Sequence, residues 1–460
     1  MIVMKFGGTS VKTAARIREV CQIVKDTAKN DRVIVVASAM KGITESLIST
    51  GQLAEKRDEN YKNVIEEIRS RQYEAVNDLF SGAEKADVKA EIDIFLKELE
   101  ELLVGVFLVK NCSPRSADLI AGLGERMNNF VIARYLSATG TPASYVDARE
   151  IIKTDDVHGA ANVRFDITIP LIREKIESCK GIPVVTGFIA STTENISTTL
   201  GRNGSDYTAS ILGNAVDASR IEIWTDVDGV LSADPRIVKE AIVMPEISSY
   251  EAMELSYLGA QVIHPATMAP AVEKKIPILI KNTMNPSAEG TKIVCAPVRH
   301  ETPITGIATM NDICLINIEG SGMIGKPGIA AEVFSVLAKQ KINIIMISQC
   351  SSEHSICFAC GQKEADTAVE ALKRDLDKYL EQRIISRIQM KPDCMTVAVI
   401  GENMIGRPGI AGKIFSALGN ASVNVLAIAQ GSSERNVSAI IPAVDKETAV
   451  KAIHKEFFGV

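Results

Sequence analysis

The feature that most restricts how this chain can fold is a repeat in its last third. "GSGMIGKPGIAAEVFSVLAKQKINIIMISQCSSEHSI", beginning at Gly320, returns without a gap as "GENMIGRPGIAGKIFSALGNASVNVLAIAQGSSERNV", beginning at Gly401. Self-similarity on this scale marks two copies of one supersecondary unit. Each copy reads as strand, Gly-Pro-Gly turn, amphipathic helix and strand. "DTAVEALKRDL" and "KETAVKAIHKEF" supply a second helix to each. The pattern predicts two small β-α-β-β-α-β units packed together.

The preceding stretch, Met1 to about Pro297, has a different rhythm. "DRVIVVASAM", "GIPVVTGFIA", "SRIEIWTDVDGV" and "KIPILIKNT" are short, β-branched and bounded by Gly, Pro, Asn or Asp. Such runs read as buried strands, and they alternate with helical patterns such as "SDYTASILGNAV". The expectation is an α/β domain over 1–298 whose largely parallel sheet is sandwiched by helices. From about 55 to 110 the strand signal disappears and apolar residues recur every three or four positions. This predicts a helical insertion with a packing role.

Composition excludes several classes. A chain of 460 residues exceeds one usual core, and 46% hydrophobic with 23% charged residues describes a globular protein. The net charge of −6 argues against nucleic acid or an anionic membrane as the main partner. No leader or bilayer-length apolar run stands out, so a cytoplasmic location is expected. Nine scattered cysteines fit a reducing compartment. Cys357 and Cys360 form a C-x-x-C, but on a strand they point to opposite faces, and no second pair accompanies them.

Three polar, glycine-rich stretches follow strands. "KFGGTS" sets Lys5 near the end of a buried strand, with Gly7 and Gly8 able to bring backbone N–H groups close to a phosphate. It is no Walker loop, because no GK[ST] follows. "LGRNGSDYTASIL" starts a helix with Ser205 or Asp206 as the expected cap. "WTDVDGVLSADPR" carries Thr225, Asp226, Asp234 and Arg236 in a polar turn suited to a base, a ribose and phosphates. Each stretch alone is equally compatible with an ordinary structural turn. Three together favour an anionic ligand at the strand ends.

Taken with "GLGERMN", "TGFIAST", "ELSYLGAQVIHPAT" and "IKNTMNP", these motifs stand in an order that resembles the aspartate kinases of the amino acid kinase family, and the repeat resembles their paired ACT domains. The likeness covers nearly the whole chain and is greatest to the kinase part of the aspartate kinase–homoserine dehydrogenases. With the sequence ending at Val460, a kinase without an attached dehydrogenase is expected. The resemblance implies an amino acid kinase fold followed by two ferredoxin-like ACT units, one at 319–385 and one at 299–318 plus 386–460. It also implies transfer of the ATP γ-phosphoryl group to the β-carboxylate of L-aspartate, the first step toward lysine, threonine, methionine and isoleucine. A different acceptor, or a purely amino-acid-sensing module, are the alternatives.

Carried onto this sequence, the resemblance implies catalytic roles for Lys5 and Asp206, with Asp206 organising the lysine. Thr44, Glu125, Arg202, Gly204 and Ser205 resemble the aspartate-binding set. Lys5, Gly7, Gly8, Ser10, Thr225, Asp226, Asp234 and Arg236 resemble the nucleotide-binding set, with Mg²⁺ arriving on the phosphates and no protein metal site. Two positions depart from the pattern: Gln261 stands where many members have lysine, and Leu231 where they have tyrosine. Because a carboxylate is already ionised at neutral pH, the reaction needs no general base, and the five histidines have no required part. Effector contacts are implied at Met323, Ile329, Asn343 and Gln349, and at Asn424 and Gln430. Threonine is favoured over lysine, since Ile345 occupies the place of an acidic residue in lysine-sensitive relatives. A homodimer or homotetramer through the ACT domains is expected.

Overall fold

A computed structural model describes residues 1–259, 265–349 and 352–459. The chain divides into two compact units, 1–230 with 245–249 and 262–296, and 231–244 with 250–261 and 297–460. The first is built on an eight-stranded sheet. Its strands are β1 (Ile2–Phe6), β2 (Val33–Ala37), β3 (Ala143–Val146), β5 (Ile182–Thr186), β8 (Arg220–Thr225), β9 (Glu246–Ser248), β10 (Ile278–Asn282) and β11 (Thr291–Val294). Their order is β3-β5-β2-β1-β8-β10-β11-β9, and only the β10–β11 pair is antiparallel. A small second sheet joins β4 (Lys153–Thr154), β6 (Ile189–Thr192) and β7 (Ser197–Thr199).

Helices cover both faces, as continuously buried strands require. On one face Ile2, Met4 and Phe6 share a core with Ile17 and Val20 of α1 (Ala14–Ala28) and Val131 of α5 (Pro114–Ala138). α2 (Ile43–Glu55) adds Leu47 to that core, and the region expected as a helical insertion consists of α3 (Tyr61–Leu79) and α4 (Gly82–Val109), which add Ile68 and Leu96. Behind the sheet run α6 (Phe165–Ser178) and α7 (Gly204–Ala215), with α7 packed on β1, β2 and β8.

The second unit holds a six-stranded antiparallel sheet in the order β13-β14-β12-β15-β17-β16. Its strands are β12 (Gly306–Glu319), β13 (Met346–Gln349), β14 (Ser355–Gly361), β15 (Arg387–Ile400), β16 (Ala427–Gln430) and β17 (Asn436–Pro442). Two 14-residue strands, β12 and β15, form its centre, and each is broken by a register shift near Asp312 or Asp393, both at positive φ. The second half of β12 packs Cys314, Ile316 and Ile318 with Phe358 and Val333 of α10 (Ile329–Lys339), over α11 (Ala365–Asp375) and the short α12 (Asp377–Glu381). The first half packs Ile307 with Val397, Ile414 of α13 (Ile410–Asn420) and Ile453 of α14 (Lys446–Phe458). Cys360 enters the first of these cores while Cys357 lies against the opposite face, as a strand dictates.

Two segments that precede 297 in sequence are part of this second unit. Ala233 and Val238 join the core of α13 and α14, and the Ser232 hydroxyl lies 3.1 Å from His454 Nε2. Between α8 (Ser249–Tyr257) and α9 (Pro265–Glu273) the chain returns to the first unit. On α8 the buried Glu251 accepts from Thr305 Oγ1 and from Glu402 N at 2.9 Å.

Phe358 is fully buried. Phe358→Ala is expected to lower the stability of the second unit by about 3–5 kcal/mol. The check is the urea midpoint of that unit's unfolding, and a loss below about 1 kcal/mol would mean that the core collapses around the deletion.

Candidate active site

The site is built where β1, β2, β5 and β8 end. Alternation along β1 sends Met4 and Phe6 into the core and leaves Lys5 facing α7. Lys5 Nζ lies 2.6 Å from Asp206 Oδ1, and both side chains are 10% exposed. Asp206 stands in the first turn of α7, where the helix dipole favours its negative charge. The cap of α7 is Asn203 at φ 57, without a side-chain cap bond, in place of the expected Ser205 or Asp206. The physical reason is that both lie inside the first turn, two and three residues past the cap: Asp206 is committed to Lys5, and the Ser205 hydroxyl is pressed against Gly187, where a Cβ would lie 2.5 Å from Oγ.

Gly8 is required by space. A Cβ there would lie 2.9 Å from the Ala39 carbonyl oxygen, and Lys41 N donates to Gly8 O at 3.2 Å. Ser10 is buried and engaged, sharing a 2.7 Å hydrogen bond with Thr283 Oγ1. Thr44, the second residue of α2, is half-buried. Arg202 is exposed, on a loop whose neighbours Gly201 and Asn203 both take positive φ.

Glu125 is buried in the middle of α5. One carboxylate oxygen accepts from Ala39 N at 3.2 Å, and the other is buried with no hydrogen-bond partner among the described residues. Leaving such an acceptor unmet costs about 1–3 kcal/mol, so the position invites a cationic donor. Burial pushes the Glu125 carboxyl up to about 8, against the opposing pull of the Ala39 N–H and the charge of Lys5.

Of the nucleotide-side residues, Thr225 ends β8 and donates to Asp226 Oδ1 at 3.2 Å. Asp228, which sequence reasoning missed, accepts from Asn282 and Asn285 at 2.9 and 3.2 Å. Asp234 and Arg236 belong to the second unit, where the guanidinium grips the carboxylate in a fork at 2.7 to 3.2 Å and holds it below the usual carboxylate range. Leu231 is half-buried in that unit, and Gln261 lies outside the described residues.

In the second unit the repeat makes two equivalent pockets. One, of about 360 Å³, is lined by Met323, Ile329, Gln349 and the Gly-Lys-Pro-Gly turn. The other, of about 260 Å³, is lined by Met404, Ile410, Gln430 and the Gly-Arg-Pro-Gly turn. Asn343 and Asn424 are exposed and do not line them. Glu353 and Glu434, absent from the sequence reading, accept from Gly325 N at 2.9 Å and Gly406 N at 2.6 Å. Their signal was present in the repeat, which carries glutamate after the serine pair in both copies.

Residues 1–282 match the amino acid kinase family, and 316–376 and 397–457 each match the ACT domain. The chain belongs to the amino acid kinase family. Among relatives of this kinase is bifunctional aspartokinase/homoserine dehydrogenase 2, chloroplastic, of Arabidopsis thaliana, 37% identical over 99% of this chain and 50% of the relative. Aspartokinase 1, chloroplastic, from the same plant is 33% identical over 99% and 80%. The chain spans about half the length of the curated relatives it matches first. E. coli aspartokinase III, solved with aspartate and ADP, superposes with a TM-score of 0.83 at 30% identity over 100% of both chains. The same enzyme with lysine and aspartate gives 0.80.

The raised Glu125 pKa sets a pH dependence. Below its ordinary value of 4.5 the carboxyl is protonated in folded and unfolded chain alike. As pH rises toward about 8 the unfolded chain gives up a proton that the folded chain keeps, so stability falls through this window. Glu125→Gln should therefore melt higher than the parent at pH 9, and the gain should vanish at pH 4. Equal melting temperatures at pH 9 would refute the burial of an uncompensated charge.

Proposed function

We propose that this kinase moves the γ-phosphoryl group of ATP onto the β-carboxylate of L-aspartate, giving 4-phospho-L-aspartate and ADP. The observation that carries the reading is the buried, unpartnered oxygen of Glu125, which an α-ammonium group satisfies. Arg202 supplies a fork for the α-carboxylate, and together they select an amino acid over a simple dicarboxylate. The aspartokinase relatives, and the aspartate and ADP bound to the E. coli enzyme, support the same assignment.

Bringing a carboxylate onto a polyphosphate joins two anions, so positioning and charge stabilisation carry the catalysis. Lys5 meets the transferring oxygens as a point charge, and Asp206 orients it without taking a proton. Gly8 brings its backbone amide to the phosphates, the Gly7 amide being engaged by Trp224 O at 3.2 Å, while Thr225 and Asp226 face the nucleotide. Among the described residues no group of three or more His, Cys, Asp or Glu is arranged to hold a metal. Mg²⁺ is proposed to enter on the phosphates, whose oxygens suit this hard cation.

The ACT domains are proposed to bind an amino-acid effector, with threonine favoured. Gln349 and Gln430 stand at the pocket rims, and Ile345 provides no carboxylate for a second ammonium. Dimers or tetramers through these domains are the proposed assembly. A cytoplasmic location is proposed as well; no described helix is long and apolar enough to cross a membrane.

Lys5→Ala should lower kcat about a hundredfold or more with a smaller change in aspartate KM, because its charge acts mainly in the transition state. ADP release with hydroxylamine trapping of the acyl phosphate provides the measurement. A kcat within a few-fold of the parent removes Lys5 from the chemistry, and no trapped product with aspartate removes the acceptor assignment. Millimolar threonine is expected to inhibit, and Gln349→Ala with Gln430→Ala to relieve that inhibition. Full activity at that concentration would eliminate threonine.

A further inference from the structure

We propose that Asp118, outside the catalytic set, is the positioning residue for the loop that carries Arg202. The inference rests on the reading of Arg202 as the group that holds the acceptor's α-carboxylate. Asp118 is 5% exposed on α5, and three donors from two other segments converge on it. Thr199 Oγ1 donates to Oδ1 at 2.5 Å, Gly159 N lies 3.1 Å from both oxygens, and His158 Nδ1 lies 2.7 Å from Oδ2.

Thr199 is the last residue of β7, three positions before Arg202. Between them the loop is held from two sides. Leu200 N donates to Phe188 O at 2.9 Å, and a Cβ on Gly201 would lie 3.2 Å from the Ala160 Cβ. The segment supplying Ala160 is itself tied down, since Ala161 N donates to Thr199 O at 2.9 Å and Gly159 N to Asp118. Asp118 thus closes a ring through segment 158–161, the end of β7 and back to α5.

Asp118 and Glu125 are seven residues apart, two turns along one face of α5, or about 10 Å. Glu125 binds the amide of Ala39, beyond β2, while Asp118 binds the end of β7. One rigid helix therefore indexes two loops of the acceptor site against each other. A carboxylate suits this place because it accepts only. Asparagine would offer one acceptor oxygen and turn an NH₂ toward the remaining donors.

The test compares Asp118→Asn, Thr199→Val and Thr199→Ser with the parent in the full-length chain. If Asp118 positions Arg202, Asp118→Asn and Thr199→Val raise aspartate KM about tenfold, with ATP KM within twofold and kcat within threefold. Thr199→Ser, which keeps the hydroxyl, restores aspartate KM to within threefold of the parent. A merely structural tie would lower melting temperature without splitting KM from kcat. Amide exchange provides an arm independent of the acceptor: residues 199–204 should exchange at least tenfold faster in Asp118→Asn, with β1, β2 and β8 unchanged. Unchanged exchange overturns the proposal, and so does faster exchange with aspartate KM unmoved. If the parent fails to phosphorylate aspartate, the functional reading falls, and the exchange arm alone decides whether Asp118 holds the loop.

Discussion

Parallel strands that end together leave backbone groups that no further strand can pair, and a buried end must satisfy them by other means. In this protein side chains of α5 meet that demand. Asn129 accepts from Ala37 N and donates to Ala37 O, Asn128 donates to Ser38 O, and Glu125 accepts from Ala39 N. Three consecutive residues at the end of β2 are thereby fixed to one helix. The Gly7 amide donates to Trp224 O and the Gly187 amide to Ala37 O, so the neighbouring strand ends share the solution. Donors and acceptors brought together for backbone satisfaction then form the wall of the candidate site. Of the four carboxylate oxygens that α5 contributes through Asp118 and Glu125, three are used internally, and one faces inward without a partner.

Much of this was legible in the sequence because period and punctuation carried it. The β1 alternation, the glycines of "KFGGTS" and the helix in "GRNGSDYTASIL" are local signals, and they singled out Lys5 and Gly8 without knowledge of distant partners, whereas the place of Asp206 beside Lys5 was implied only by the family resemblance. Asp118 and Asn129 were illegible for the opposite reason. Their partners, Thr199 and Ala37, lie 81 and 92 residues away, and nothing adjacent to them marks a polar residue as buried. Asn203 at the head of α7 was missed although asparagine caps a helix as well as serine or aspartate does, and tertiary commitments hold Ser205 and Asp206 inside the first turn. The division of the chain was only partly readable. Segments 231–244 and 250–261 follow catalytic motifs in sequence but gain their burial from residues near 305, 402 and 454, far along the chain.

That interleaving bears on how a regulatory signal is carried. The polypeptide after Thr225–Asp228 continues without interruption into a segment whose Ala233 and Val238 sit in the core of the second ACT domain. Any rearrangement of that core reaches the end of β8 through covalent bonds and a short stretch of main chain. An effector that bound two arrangements of the core with different affinity would bias the loop after β8. No long chain of side-chain contacts has to be invoked.

The long strands β12 and β15 have a consequence for the history and the engineering of such chains. Each is cut by its irregularity into halves that serve different ACT domains, so neither domain is a contiguous stretch that can be excised, deleted or grafted intact. Exchanging one copy of the repeat between relatives would import helices onto a host's strands and mismatch both hydrophobic layers at once. The transferable unit is the pair, 297–460 together with the segments at 231–244 and 250–261 that complete its core, and sensors with different ligand preferences are expected to be shuffled between kinases only as such pairs.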